Sequence, residues 1–198
     1  MNKSGTFRNL SCDALHVGGN SIVAPIEYSG KIVIDTSATA AVVMTATTHA
    51  NCIYIFAKTP SGARAITLPA LTDMEIGDKI HFVVAEQSGT GSNIVTISEK
   101  AASDTNKIIG CVTLVTGADA ATGTNVTNRI ATSGDAIGVT SVALSADTAG
   151  NDAGSEGTEL TFTCTGSDAT LGQYWLISGI ALSLDPNGTG ATLFGAGA

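Results

Sequence analysis

The chain has 198 residues, of which 43% are hydrophobic and only 13% are charged, roughly half the usual share of charge. This balance excludes a disordered chain, and the length suits one sizeable domain with or without an arm. Nine Lys and Arg against 17 Asp and Glu give a net charge of −8, which argues against binding to nucleic acid or to anionic membrane surfaces.

Residues 1–24 are predicted to form an extended N-terminal arm, because spaced apolar side chains lie there among small and polar residues. The apolar positions are Phe7, Leu10, Leu15 and Val17. Such a segment buries too little area by itself to offset its ordering entropy. Two interpretations stay open: these four residues anchor the arm on a neighbouring subunit or partner, or the arm folds back on its own domain. No secretory signal is recognised in this segment, so we expect synthesis in a cytoplasm.

Residues 25–185 are predicted to form one all-β domain, an antiparallel, jelly-roll-like β-sandwich. Thr and β-branched residues favour strands, Gly clusters favour turns, and apolar residues at helical spacing are scarce. The first three strands are predicted at 31–35, 40–45 and 52–57.

The prediction of a sandwich depends mainly on the stretch 65–84. Two apolar runs, at 66–68 and 80–84, flank a connection that carries Pro69, Gly77 and Asp78. Proline cannot donate to a strand ladder and closes the first strand, while Gly-Asp supplies turn chemistry before the second. We therefore expect one strand in each layer of the sandwich. The Gly-rich segment 89–93 then favours a hairpin that leads to a strand at 94–97.

The rest of the domain alternates strands with insertions. Strands are predicted at 107–115, 129–131 and 136–144, and a terminal antiparallel pair at 159–165 and 173–184. Segments 116–128 and 145–157 show no apolar period and are predicted to be loops. Residues 186–198 form a Gly- and Ala-rich C-terminal tail.

The histidines and cysteines, which could hold a metal or take part in catalysis, are dispersed along the sequence. The three histidines lack a second ligand at metal-binding spacing, and the four cysteines show no Cys-x-x-Cys pair. These residues are His16, His49 and His81, with Cys12, Cys52, Cys111 and Cys164. We expect no catalytic residues, no metal and no cofactor. The cysteines in strand-like runs are predicted to be buried thiols, and a disulfide between two of the four stays open.

Two further features have alternative interpretations. Trp175 follows Tyr174 in a strand-like run; the pair could stack on sugar rings, but the neighbouring apolar residues favour core packing of the tryptophan. The acidic segment 147–156 could bind Ca²⁺, but it lacks the residue order of an EF-hand and is better interpreted as a solvated loop.

The order of these motifs resembles small β-sandwich modules of tailed-bacteriophage virions. The matching residues are 66–69 (ITLP), 77–78 (GD), 80–84 (IHFVV), 95–97 (VTI) and 172–179 (GQYWLISG). The arm, at residues 9–22, is similar to segments that lead into phage fibre and spike domains. The resemblance implies a virion surface protein, commonly a homotrimer, made in the host cytoplasm.

Two roles are compatible with this resemblance. The first is a head decoration (cement) protein that binds the major capsid protein on the capsid surface and stabilises the lattice. The second is a fibre or spike module that binds a host receptor through the loops 116–128 and 145–157. The acidic surface, the arm and the absence of coiled-coil heptads favour decoration. An enzymatic spike would need two carboxylates ~5–10 Å apart in a cleft, and we expect no enzyme activity.

Overall fold

The computed structural model describes residues 15–17, 20–22, 31–86, 93–100, 107–116, 128–132, 138–145, 153–168, 172–183 and 193–194. Across these ranges strands dominate, which confirms the all-β prediction. Helix in the part of the chain that the structure describes is confined to one turn, α1 (Ala46–His49), and a 3-10 turn at Leu71–Asp73. No helix in the described ranges is long and apolar enough to cross a membrane.

The strands of the described ranges form three sheets. The two-stranded sheet consists of β1 (Leu15–Val17) and β2 (Asn20–Ile22). The seven-stranded sheet contains β3 (Lys31–Asp35), β5 (Cys52–Phe56), β7 (Lys79–Val84), β9 (Lys107–Thr116), β10 (Asn128–Thr132), β12 (Glu159–Asp168) and β13 (Gly172–Ser183). The four-stranded sheet contains β4 (Val42–Val43), β6 (Arg64–Thr67), β8 (Val95–Ser98) and β11 (Ser141–Leu144).

Both larger sheets are mixed. The order in the seven-stranded sheet is β10-β9-β13-β12-β7-β5-β3, with parallel pairing between β9 and β13, between β7 and β5, and between β5 and β3. The order in the four-stranded sheet is β11-β8-β6-β4, and only β11 pairs antiparallel. The predicted antiparallel, jelly-roll-like sandwich is therefore not confirmed, because jelly rolls are built from antiparallel strands.

One hydrophobic core draws on the inner faces of both larger sheets. Alternate residues of β5, β7 and β12 are buried, and their aromatic rings meet: Phe82 stacks on Phe56 at 5.7 Å between ring centroids and meets Phe162 edge-on at 5.4 Å. From the four-stranded sheet, Ile66, Ile97 and other aliphatic side chains enter the same core. Such period-two burial is what β-branched and aromatic residues achieve on a half-buried pleated surface.

The two strands predicted in the stretch 65–84 lie in different sheets, and their placement in two layers of a sandwich stays a prediction. Strand β6 belongs to the four-stranded sheet, and β7 belongs to the seven-stranded sheet. The terminal antiparallel pair is confirmed, since β12 and β13 pair from Glu159↔Ile180 to Asp168↔Gly172. Trp175 in β13 is fully buried, as its apolar neighbours predict.

Two local predictions are wrong. The hairpin across residues 89–93 does not form, because β7 and β8 lie in different sheets and each has other neighbours. The strand predicted at 40–45 is reduced to β4, since the chain turns into α1 after Thr45. The division into an arm, a domain and a tail at residues 24 and 185 stays a prediction.

Candidate functional site

The predicted arm anchors fall largely outside what the structure describes. Phe7 and Leu10 lie outside the described residues. Leu15 and Val17 lie in β1, where their backbones pair with Ile22 and Asn20; their side chains are outside the described part. Contact of these four residues with a partner stays a prediction.

The described residues carry an exposed aliphatic surface on the outer face of the seven-stranded sheet. Register places Ile34 beside Ile55 and Ile55 beside Val83, while Ile32 lies beside Ile53. The exposed fractions of Ile32 and Ile34 are 60% and 64%, and the other three side chains are half-buried. We call these five residues the outer apolar patch. Contiguous exposed apolar groups of this kind mark contact sites for other molecules.

A polar strip borders the outer apolar patch. His81 in β7 has its Nδ1 2.9 Å from the Thr161 hydroxyl oxygen, and its Nε2 lies 3.8 Å from Glu159 Oε2. Beyond this strip, Leu176 and Ile180 of β13 expose roughly half of their side chains. The outer face therefore carries exposed apolar side chains on both sides of a polar strip.

A buried ion pair between Asp35 and Arg64 lies beside the core, next to β3. The Asp35 carboxylate accepts hydrogen bonds from Arg64 Nη2, from the Tyr54 hydroxyl and, at 2.9 Å, from the Ser37 N–H. Asp35 belongs to β3 and Arg64 to β6, so the pair links the two larger sheets. The Arg64 side chain is fully buried, and its Nε donates to the Ala40 carbonyl at 2.8 Å.

The groups around this ion pair are held in one charge state. Burial by itself raises the pKa of Asp35, but the hydrogen bonds from Tyr54, Ser37 and Arg64 outweigh it and lower that pKa below its usual value. Burial, reinforced by the Asp35 carboxylate, raises the pKa of Tyr54 well above its usual value. The cluster is therefore an ionised carboxylate with neutral and cationic donors around it, an arrangement that suits a structural link between sheets.

Acid is expected to weaken the fold through Asp35. A carboxyl group whose pKa is lower in the folded state stabilises the fold fully above its unfolded pKa, and this contribution disappears as pH falls through the folded pKa. In urea unfolding, the difference in the free energy of unfolding between the wild type and Asp35→Asn should therefore become smaller below about pH 4. Equal pH dependence of the two proteins from neutral pH to pH ~2 would contradict this role.

The histidines and cysteines take separate positions. His49 ends α1, where its Nδ1 accepts the Thr45 N–H at 3.1 Å and burial lowers its pKa. Cys52 and Cys164 are buried thiols, as predicted. Cys111 is exposed, because Val112 and Leu114 of β9 face the core and Cys111 lies in the opposite phase, so the prediction of a buried thiol is wrong there. Within the described ranges, no three His, Cys, Asp or Glu side chains come together to hold a metal ion.

The ion pair was not predicted from the sequence, although the sequence carries a signal for it. Arg64 is in phase with Ile66 and Leu68, which both face the core, so period two already places its guanidinium inside. A charge in that position requires a buried partner. The outer apolar patch was not predicted from the sequence either, because alternation within an apolar strand does not show which face of the strand is exposed.

The described chain thus offers one surface suited to contact with protein and one buried ionic link. The patch is on a regular sheet, where backbone pairing fixes the spacing of its side chains. Comparisons with known proteins found no matching family model, no matching curated protein and no matching solved structure.

Proposed function

We propose that the protein is a virion structural protein of a tailed bacteriophage, a head decoration (cement) protein that binds the major capsid protein on the outer capsid surface. The outer apolar patch is the observation that supports this role. Ile32 and Ile34 expose most of their surface on a sheet whose other face fills the core. Apolar area left in water at this level is recovered by contact with another protein.

The rest of the proposal follows the resemblance to phage virion modules. Copies assemble as a homotrimer, and the arm at residues 1–24 reaches a neighbouring subunit or the capsid. Such a protein acts by binding and catalyses no reaction. Its acidic charge of −8 suits display on the outside of the particle and disfavours contact with the packaged nucleic acid or a membrane.

We also propose that the two larger sheets stack as a β-sandwich. The single core that draws on both inner faces supports this arrangement, as does the ion pair between Asp35 and Arg64. A stacked pair of sheets is rigid, and a rigid outer face loses little entropy when it docks.

Deletion of residues 1–24 tests the attachment mechanism. The shortened chain is expected to keep the far-ultraviolet circular dichroism of a β protein, since the described core lies entirely within 31–194. It should no longer attach to particles that lack the protein, whereas the full chain should. Binding is measured as the number of protein copies per particle, after the particles have been sedimented from the mixture. Full occupancy by the shortened chain would overturn the role of the arm.

A fibre or spike module that binds a host receptor remains the second interpretation of the resemblance. The position and number of copies on the particle distinguish it from a decoration protein. Decoration places many copies over the head surface. A fibre places a few copies at a vertex or on the tail. Absence from purified particles would contradict both.

A further inference from the structure

Strand β3 forms one edge of the seven-stranded sheet. Among the described residues its ladder partner is β5 alone, paired in parallel from Lys31↔Cys52 to Asp35↔Phe56. The Asp35 carbonyl accepts the Ala57 N–H on the β5 side at 2.9 Å. Because backbone groups alternate along a strand, the N–H and C=O of Ile32 and Ile34 point to the open edge.

Among the described residues, this edge lacks the usual protections against strand pairing. The sequence KIVID contains no proline, and its ladder to β5 runs without a bulge. Ile32 and Ile34 are exposed apolar residues, and the Lys31 ammonium is turned back to donate to the Thr47 carbonyl at 2.9 Å. Natural edge strands are normally blocked by central charges, proline or bulges.

The same five residues are complementary to themselves. When two such strands run antiparallel and are centred on Val33, each Ile32 faces an Ile34 and each Lys31 faces an Asp35. This register uses the open-edge N–H and C=O groups of both isoleucines in each strand, giving four backbone hydrogen bonds. Lys31 and Asp35 at the two ends add no ion pair across the contact, because the Asp35 carboxylate stays buried on Arg64 and Tyr54.

We propose that β3 pairs with β3 of a second copy of this chain, antiparallel and centred on Val33, so that two seven-stranded sheets join into one. The two outer apolar patches then form one continuous surface. This contact has twofold symmetry, so it is separate from the threefold contacts of a trimer and can coexist with them. It does not depend on the virion role.

The contact is small. Five residues from each copy bury much less than the ~1,000 Å² that a stable interface needs. We therefore expect weak association that depends on protein concentration. Such a contact becomes effective where other interactions already hold two copies close together.

Cysteine cross-linking tests the register. In the proposed pairing the two Val33 residues form a non-hydrogen-bonded pair with a Cα separation of about 4.5 Å, within the reach of a disulfide. The full chain carrying Val33→Cys, with Cys12→Ser and Cys111→Ser, is oxidised mildly at high concentration. The matched controls are Ile32→Cys and Ile34→Cys in the same background, whose identical residues lie beyond the ~7 Å limit.

The expected result is a disulfide-linked dimer from Val33→Cys in about tenfold greater yield than from either control. A mixture of the Ile32→Cys and Ile34→Cys chains should also cross-link, because these positions face each other at about 5.5 Å. Equal yields from all variants, or no dimer from a Val33→Cys chain with native circular dichroism, would overturn the proposal.

Sedimentation equilibrium supplies a second measurement. Ile34→Lys is expected to weaken the dimer about tenfold, because the change occurs twice in each contact. Ile76→Lys is the matched control, since Ile76 is 79% exposed and lies outside β3. Equal effects of the two substitutions, or a wild-type chain whose association state does not change with concentration up to the millimolar range, would contradict the pairing.

Discussion

Replacement of Arg64 by methionine is expected to lower the free energy of unfolding by about 3–5 kcal/mol. The substitution keeps most of the apolar stem but leaves the Asp35 carboxylate buried without its cation. An uncompensated buried charge is one of the few single changes with so large an effect, because the ion keeps its desolvation cost and loses its attraction. The fluorescence of Trp175, the chain's single and fully buried tryptophan, reports the unfolding in urea.

A double variant separates charge from packing. Asp35→Asn combined with Arg64→Met removes both charges, and it should recover more than half of the stability that Arg64→Met loses. The amide introduced by Asp35→Asn can keep the bond from the Ser37 N–H on its oxygen, while its NH2 group can donate to the Tyr54 hydroxyl oxygen in place of the second carboxylate oxygen. If the free energy of unfolding of the Arg64→Met variant lies within about 1 kcal/mol of the wild-type value, the ion pair is not what joins the sheets.

Gly179→Ala is expected to cost about 4 kcal/mol or more, enough to prevent folding in a domain of ordinary stability. Gly179 pairs with Leu160 where β13 runs beside β12, and its φ is +142°. A Cβ built there would lie 2.1 Å from the Glu159 carbonyl oxygen, which is backbone and cannot turn away. The two central strands would have to separate.

Gly77→Ala is the matched control for this clash. Gly77 also has a positive φ, +94°, but a Cβ there meets nothing within 4 Å. Only conformational strain remains, about 1–2 kcal/mol. Thermal unfolding followed by circular dichroism should therefore show a modest loss for Gly77→Ala and a severe loss or insolubility for Gly179→Ala. Similar melting of the two variants would show that the close approach of β12 and β13 is not required.

Strand positions in this chain were predictable, because alternation of apolar residues is a local property. Strands β3, β9 and β12 lie within a few residues of the segments predicted for them. The break in the chain between β6 and β7, which lie in different sheets, was predictable too, since Pro69 and Gly77 interrupt the chain between two apolar runs.

Pairing was not predictable, because alternation assigns faces and not neighbours. The parallel ladder of β3 and β5 and the placement of β7 and β8 in different sheets depend on contacts distant in sequence. The helical turn α1 (Ala46–His49) follows directly on a β-branched run, and tertiary packing decides where the strand ends and the helix begins. The ionic link required two residues 29 positions apart to be recognised as partners.

The location and number of copies on purified phage particles test the proposed function most directly. Cryo-electron microscopy of the particle that carries this protein, combined with quantitative mass spectrometry, gives both quantities. Many copies in regular positions on the outer capsid surface are the expected result. A protein missing from the particle, or present there in only a few copies on the tail, would contradict a decoration role.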